Sequence, residues 1–94
     1  MDPHPRYTVI IPPPVQKQIK KLPPDIRPKI LTRLRHLQNA PRPAGVEKLS
    51  GYKDYYRIRA GDYRIIYTIE DKKLLILVVR VGARKQIYLD LKKK

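Results

Sequence analysis

Apolar residues recur with two different spacings along the chain, and the change between them predicts a helical part followed by a strand-rich part. Between residues 15 and 37 they return every three or four positions, which is the period of an amphipathic helix. Beyond Gly51 they alternate with polar residues, which is the period of a strand with one buried face. The fold class predicted from this pattern is α+β.

Two short helices are predicted ahead of Pro41. Their apolar stripes are Val15, Ile19 and Leu22 in the first helix and Ile26, Ile30, Leu34 and Leu37 in the second. Only about three residues around Pro23-Pro24 separate the two patterns, which favours an antiparallel helical hairpin. Pro28 lies beyond the position at which a missing N–H is harmless, so the second helix is expected to start late or to have a distorted first turn.

Five segments have strand-like composition, namely 6–11, 55–60, 63–69, 74–79 and 87–89. The segment 74–79 is apolar at every position, as expected of a central strand. The element order is therefore β-α-α-β-β-β-β, with the helical hairpin packed on one face of a small, mostly antiparallel sheet. Residues 1–94 are expected to form a single domain with frayed tails at 1–5 and 91–94.

The dipeptide Gly61-Asp62 determines the register of the central hairpin. A two-residue loop with Gly at its first position favours a type II′ turn, which places Arg59 opposite Arg64 and Arg57 opposite Ile66. Alternation then gives the helices one mostly apolar face, formed by Tyr56, Ile58, Ala60, Tyr63, Ile65, Tyr67 and Ile69. The other face consists of Tyr55, Arg57, Arg59, Arg64, Ile66, Thr68 and Glu70.

Three arginines on this second face are candidates for binding phosphate. Like charges directly opposite one another destabilise a strand pair, so Arg59 beside Arg64 is unfavourable until an anion lies between them. Together with Arg57, and with Tyr55 at the margin as a stacking ring, they are suited to single-stranded nucleic acid. The alternative interpretation is that these charges only keep an exposed sheet face from aggregating.

The charge balance indicates a class of partner. Lys and Arg number 22 against 8 Asp and Glu, which gives a formal charge of +14 and a pI near 10.3. Such a surface favours a polyanion, meaning nucleic acid, an anionic membrane or an acidic protein. The lack of cysteine excludes disulfides and thiolate metal sites, and a longest apolar run of six residues is too short for a membrane span. A cytoplasmic protein without a metal centre is the expectation.

Several segments of the second half resemble the RelE branch of the RelE/ParE toxin superfamily. They are Lys48-Leu-Ser-Gly51, YYRIRAGDYRIIY (55–67), LLILVVRVGAR (74–84) and Ile87-Tyr88. The resemblance implies a toxin that cuts messenger RNA in the ribosomal A site. Its partners there are the messenger and the RNA of the small ribosomal subunit. It also implies a cognate acidic RelB-like antitoxin as partner. No metal, no cofactor and no membrane partner are expected.

The same resemblance assigns catalytic roles to Arg57, Arg59, Arg64, Arg84 and Tyr88. The ribose 2′-hydroxyl attacks the adjacent phosphate and leaves a 2′,3′-cyclic phosphate and a 5′-hydroxyl. On that model Arg84 assists departure of the 5′ oxygen, while Arg59 and Arg64 hold the developing dianion. Tyr88 stacks on a base or orients the attacking group.

The residues flanking this set, Lys53, Tyr55 and Lys85, are expected to bind substrate.

The chain departs from the family pattern at the residues that move protons. Relatives carry lysine at the positions of Arg57 and Arg59, and many carry histidine at the position of Ala83. Arginine stays protonated, so it cannot serve as an ordinary general base, and the identity of that base is left open. Catalysis would then rest on electrostatic stabilisation and positioning.

Two other functions are compatible with the sequence. One is a ParE-like inhibitor of DNA gyrase without nuclease activity, and the other is a non-catalytic RNA-binding module.

Overall fold

The computed structural model describes residues 6–49 and 54–83, and within these ranges the chain forms two helices and five strands. The helices are α1 (Pro13–Lys20) and α2 (Arg27–Leu37). The strands are β1 (Thr8–Ile10), β2 (Glu47–Lys48), β3 (Tyr56–Ala60), β4 (Tyr63–Glu70) and β5 (Leu75–Ala83). One turn of 3₁₀ helix, Asp71–Lys73, connects β4 to β5.

The strands form one mixed sheet in the order β1-β5-β4-β3-β2. β1 is parallel to β5, and all other neighbours are antiparallel. The α+β class and the interior position of β5 are therefore confirmed. The predicted strand 87–89 lies outside the described residues. The pattern did not predict β2, since two charged residues carry no strand signal of their own.

Both helices have prolines in their first turn. Pro13 and Pro14 occupy the first two positions of α1, where a missing N–H costs nothing, so α1 begins two residues earlier than predicted. It also ends before Leu22, which is nevertheless buried. The late start of α2 is confirmed, because the helix begins at Arg27 and accepts Pro28 at its second position. The connection is consequently longer than the predicted three residues and spans 21–26.

Strand β5 differs at both ends from the predicted 74–79. Leu74 has a left-handed φ of +53° and its N–H donates to the Asp71 carbonyl at 3.2 Å, so this residue closes the 3₁₀ turn instead of starting the strand. At the other end the ladder with β4 continues until Ala83 lies opposite Tyr63. Pairing with β4 therefore extends β5 past the end of its apolar run. β1 is shorter than the predicted 6–11.

The core lies between the two helices and one face of the sheet. Its buried members are Val15, Ile19, Leu22, Ile30, Leu34, Leu37, Ile58, Ile65, Tyr67, Ile76, Val78 and Val81. The predicted helix stripes and the predicted apolar face of the hairpin meet here. Tyr67, which is fully buried, satisfies its hydroxyl by donating to the Pro41 carbonyl at 2.7 Å.

The β3–β4 hairpin has the predicted register. Ala60 pairs with Tyr63 next to the turn, Arg59 pairs with Arg64, and the ladder continues to Tyr56 and Tyr67. Gly61 has a φ of +62°, and Asp62 is not among the described residues with positive φ, as a type II′ turn requires. This turn places the arginines of the two strands side by side.

A polar cluster joins three segments at one end of the sheet. Arg42 forms a bidentate pair with Asp71, with Nη2 to Oδ2 at 2.9 Å and Nη1 to Oδ1 at 3.1 Å. The Tyr7 hydroxyl donates to Asp71 Oδ1 at 2.7 Å. The Arg42 guanidinium also lies 5.3 Å from the centroid of the Tyr56 ring. The cluster ties the start of β1 and the segment after α2 to the 3₁₀ turn.

The bonds from Arg42 and Tyr7 lower the pKa of Asp71 to about 2. A carboxylate with a lowered folded-state pKa stabilises the fold above its unfolded value of about 3.9, and this contribution disappears as pH falls towards the folded value. We therefore expect Asp71→Asn to lower the free energy of unfolding at pH 7, and the difference from wild type to shrink between pH ~4 and ~2. Urea titrations at a series of pH values measure this. Asp25→Asn, in the exposed α1–α2 connection, is the control, and a pH-independent difference for Asp71→Asn would contradict the prediction.

Candidate nucleic-acid interface

The face of the sheet opposite the helices carries the arginines singled out from the sequence. We call this the helix-free face, and it includes Arg57, Arg59, Arg64, Ile66 and Arg80. Arg59 lies directly opposite Arg64. Arg57, Ile66 and Arg80 form a second row across three neighbouring strands. The fold therefore brings the three predicted hairpin arginines together, and adds a fourth.

Arg64, one of the predicted phosphate-binding arginines, is buried. The residue is 6% exposed, and its Nη1 donates to the carbonyl oxygens of Gly61 at 3.2 Å and Tyr63 at 3.1 Å. These bonds hold the side chain against the β3–β4 turn. Its Nε has no hydrogen-bond partner among the described residues. Arg64 is thus a fixed positive charge opposite Arg59, and it also stabilises the turn.

A carboxylate of the chain itself lies next to Arg57 and Arg59. Glu47 lies opposite Arg57 in the β2–β3 ladder, and its Oε2 pairs with Arg57 Nη2. The other oxygen, Oε1, is 3.9 Å from Arg59 Nη2. Of the three arginines predicted to bind phosphate, Arg57 is therefore ion-paired and Arg64 is buried. Arg59, whose side chain is 62% exposed, is the open member of the three.

Arg80 owes its place on the helix-free face to a β-bulge. Ile66 pairs with Arg80 while Tyr67 pairs with Val78, so Val79 is an extra residue in β5. Val79 packs on Ile66, and Arg80 lies opposite Ile66, so both belong to the same face. Strict alternation from Val78 would instead put Arg80 in the core. A charged side chain at a predicted core position is unfavourable, so Arg80 is the residue from which the bulge could have been inferred in the sequence.

An apolar floor lies beside the arginines. Ile66 is fully buried, and Leu49, Tyr55 and Val79 pack against it. Leu49 is held there by its N–H, which donates to the Tyr55 carbonyl at 2.8 Å. Tyr55, predicted as a stacking ring at the margin, is half-buried on this floor. The face therefore combines cations with an apolar surface next to them, which is the combination that bases and phosphates require.

The positive surface continues from Arg59 to helix α2. A cavity of about 560 Å³ separates the start of α2 from the hairpin, and Lys29, Arg33 and Arg59 lie along it. These cations extend the field of the arginine cluster around the edge of β3.

Four of the predicted site residues lie outside the described residues, namely Lys53, Arg84, Lys85 and Tyr88. Within residues 6–49 and 54–83, no group of three or more His, Asp or Glu side chains is arranged to hold a metal ion. In the same ranges, neither helix has the length and hydrophobicity needed to cross a bilayer.

Comparison with known proteins identifies the family. The model of the ParE toxin of the type II toxin–antitoxin system parDE matches residues 9–88. The chain belongs to this toxin family. The superfamily suggested by the hairpin and the Val81-Gly-Ala-Arg84 motif is thereby confirmed.

Named relatives of the chain include toxins of the RelE type. The mRNA interferase toxin RelE of Escherichia coli K12 is 32% identical over 72 residues, which cover 74% of this chain and 75% of that protein. Toxin RelE3 of Methanocaldococcus jannaschii is 38% identical over 76 residues, covering 77% and 84% of the two chains. The archaeal RelE–RelB complex from Pyrococcus horikoshii contains a chain that superposes with a TM-score of 0.75 at 32% identity, covering 86% of this chain and 98% of that one.

Proposed function

We propose that this protein is the toxin of a type II toxin–antitoxin pair and cleaves messenger RNA in the ribosomal A site. The observation that carries the proposal is the arginine cluster on the helix-free face, formed by Arg57, Arg59, Arg64 and Arg80, in which the exposed Arg59 lies opposite the buried Arg64. Such a cluster matches the charge that a phosphoryl-transfer transition state develops. The mRNA interferase names of relatives support the same function over the ParE-like alternative.

The proposed reaction is an attack of the ribose 2′-hydroxyl on the neighbouring phosphorus. The bond from O2′ to phosphorus forms while the bond from phosphorus to O5′ breaks, so the products carry a 2′,3′-cyclic phosphate and a 5′-hydroxyl. Negative charge accumulates on the two non-bridging oxygens, and guanidinium groups are suited to stabilise it. This chemistry uses no metal, because the positive charge is supplied by arginine side chains.

Each arginine has a distinct role in this proposal. Arg59 contacts the non-bridging oxygens directly, since it is the exposed guanidinium. Arg64 adds a fixed charge and keeps the hairpin turn in place. Arg57 binds phosphate while it stays paired with Glu47. Arg84 assists departure of the 5′ oxygen, and Tyr88 stacks on a base or orients the attacking group.

The partners follow from the chemistry of the surface. The net charge of +14 attracts ribosomal RNA over long range. Because the target is the translating ribosome, the toxin acts in the cytoplasm. Tyr55, Lys53 and Lys85 bind the messenger beside the cleaved phosphate. A cognate antitoxin carries an acidic segment that covers these cations, as RelB accompanies RelE in the archaeal complex.

Primer extension on a translated reporter messenger tests the proposal. We expect cuts at codon positions within the translated region only, with 5′-hydroxyl ends that a polynucleotide kinase labels without prior phosphatase treatment. The same transcript without ribosomes is the control. Intact messenger with gyrase-dependent DNA damage would establish the ParE-like function instead. Intact messenger and DNA, with salt-sensitive binding to RNA, would indicate a non-catalytic RNA-binding module.

A further inference from the structure

A carboxylate lies among the arginines of the helix-free face. Glu47 contacts Arg57 and Arg59, and its side chain is 54% exposed, so its oxygens are open to a bound ligand. Among residues 6–49 and 54–83, the other acids in ion pairs contact basic residues that do not belong to this cluster. Asp54 pairs with Lys48, Glu70 with Lys73 and Asp71 with Arg42.

We infer that Glu47 is the general base of the cleavage reaction, a role that rests on the function proposed above. The reaction needs a group that accepts the proton of the 2′-hydroxyl, and Arg57 and Arg59 cannot accept one because they stay protonated. A carboxylate is ionised at neutral pH and accepts protons. The structure thus supplies a proton acceptor beside two arginines that cannot act as one.

The position of Glu47 suits this role because the two arginines that it contacts, Arg57 and Arg59, are also proposed to bind the substrate phosphate. A guanidinium presents five N–H donors, and Glu47 engages Nη2 of each arginine. A phosphate bound to the same guanidiniums lies next to the carboxylate. In RNA the 2′-oxygen is adjacent to the 3′-phosphate, so its proton falls within hydrogen-bond reach of the carboxylate.

The proton transfer balances with the bond changes at phosphorus. The 2′-hydroxyl proton passes to a carboxylate oxygen of Glu47, and the electron pair it leaves on O2′ forms the bond to phosphorus. The electron pair of the broken bond stays on O5′, which takes a proton from water. Solvent then removes the proton from Glu47 and restores the carboxylate.

Glu47→Gln is the most direct test, because glutamine keeps an acceptor oxygen for Arg57 but cannot act as a base. We expect the single-turnover rate of cleavage at saturating toxin to fall about 10²- to 10⁴-fold, with no loss of affinity for the ribosome–messenger complex. Glu47→Asp, which retains a carboxylate, should keep more activity than Glu47→Gln. Glu70→Gln, the same change of charge at the far end of β4, should cleave at the wild-type rate.

Chemical rescue separates a base from a structural residue. Formate added to Glu47→Ala should restore part of the cleavage rate, whereas chloride at the same ionic strength should not, since only formate supplies a carboxylate. Cleavage by Glu47→Gln at or above the wild-type rate would overturn the inference and leave Glu47 as a counterion that competes with RNA. Failure of formate to restore Glu47→Ala would also overturn it. If wild-type toxin left translated messenger intact, the proposed function itself would fail.

Discussion

Arg59→Ala is expected to lower the rate of messenger cleavage about 10²- to 10³-fold, as loss of one group that stabilises transition-state charge typically does. Its guanidinium is exposed, and its one ion pair in the described structure is the long contact with Glu47. Removal should therefore leave the thermal midpoint almost unchanged. Single-turnover cleavage on programmed ribosomes, with the midpoint measured in parallel, checks both parts of the prediction.

Arg35→Ala is the matched control for this variant. Arg35 is an exposed arginine on α2, and its Nη2 lies 3.4 Å from the Thr32 hydroxyl. The substitution removes the same charge but lies away from the helix-free face. If both variants lost cleavage equally, the arginine cluster would be no more than a part of the diffuse positive field. If Arg59→Ala cleaved normally, the central role proposed for Arg59 would be wrong.

Ile66→Ala is expected to destabilise the protein by about 2–5 kcal/mol, the range for deleting most of a buried aliphatic side chain. The residue is fully buried under Leu49, Tyr55 and Val79, although it lies on the face opposite the main core. For a domain of this size that is a large share of a total stability of roughly 5–10 kcal/mol. Denaturant titration measures the change.

Leu77→Ala provides the comparison, because Leu77 lies on the same face of the sheet but is 41% exposed. We expect it to cost about 0.5 kcal/mol or less. If the two variants lost equal free energy of unfolding, a local apolar floor around Ile66 would be contradicted. The contrast matters for the site, because this floor holds Tyr55 beside the arginines.

The pair of arginines beside the hairpin turn combines a structural residue, Arg64, with an exposed one, Arg59, which is proposed to contact the substrate. Arg64 is tied to the carbonyls of the turn, which fixes its charge but prevents it from moving towards a substrate. Arg59, opposite it on β3, remains exposed. The repulsion between paired arginines is therefore accepted in the free protein, and it makes binding of an anion more favourable.

Much of the site was predictable because hairpins are local. Gly61-Asp62 permits one short turn, and a two-residue turn leaves a single register for the strands that flank it. The pairing of Arg59 with Arg64 follows from that turn without knowledge of the remaining fold. The helix stripes were equally local, since Val15, Ile19 and Leu22 repeat at the helical period and pack into the core.

Three features of the site depend on contacts between distant segments, which periodicity does not detect. Glu47 reaches Arg57 because a two-residue strand pairs with β3, and so short a strand has no pattern that alternation detects. Arg80 joins the helix-free face through a bulge, which reverses the alternation of β5 partway along the strand. Ile66 is buried where alternation predicted an open face, because Leu49, Tyr55 and Val79 cover it. Sequence periodicity determined that Arg57, Arg59 and Arg64 share a face, and nonlocal strand pairing determined that Arg80 joins them and that Glu47 lies among them.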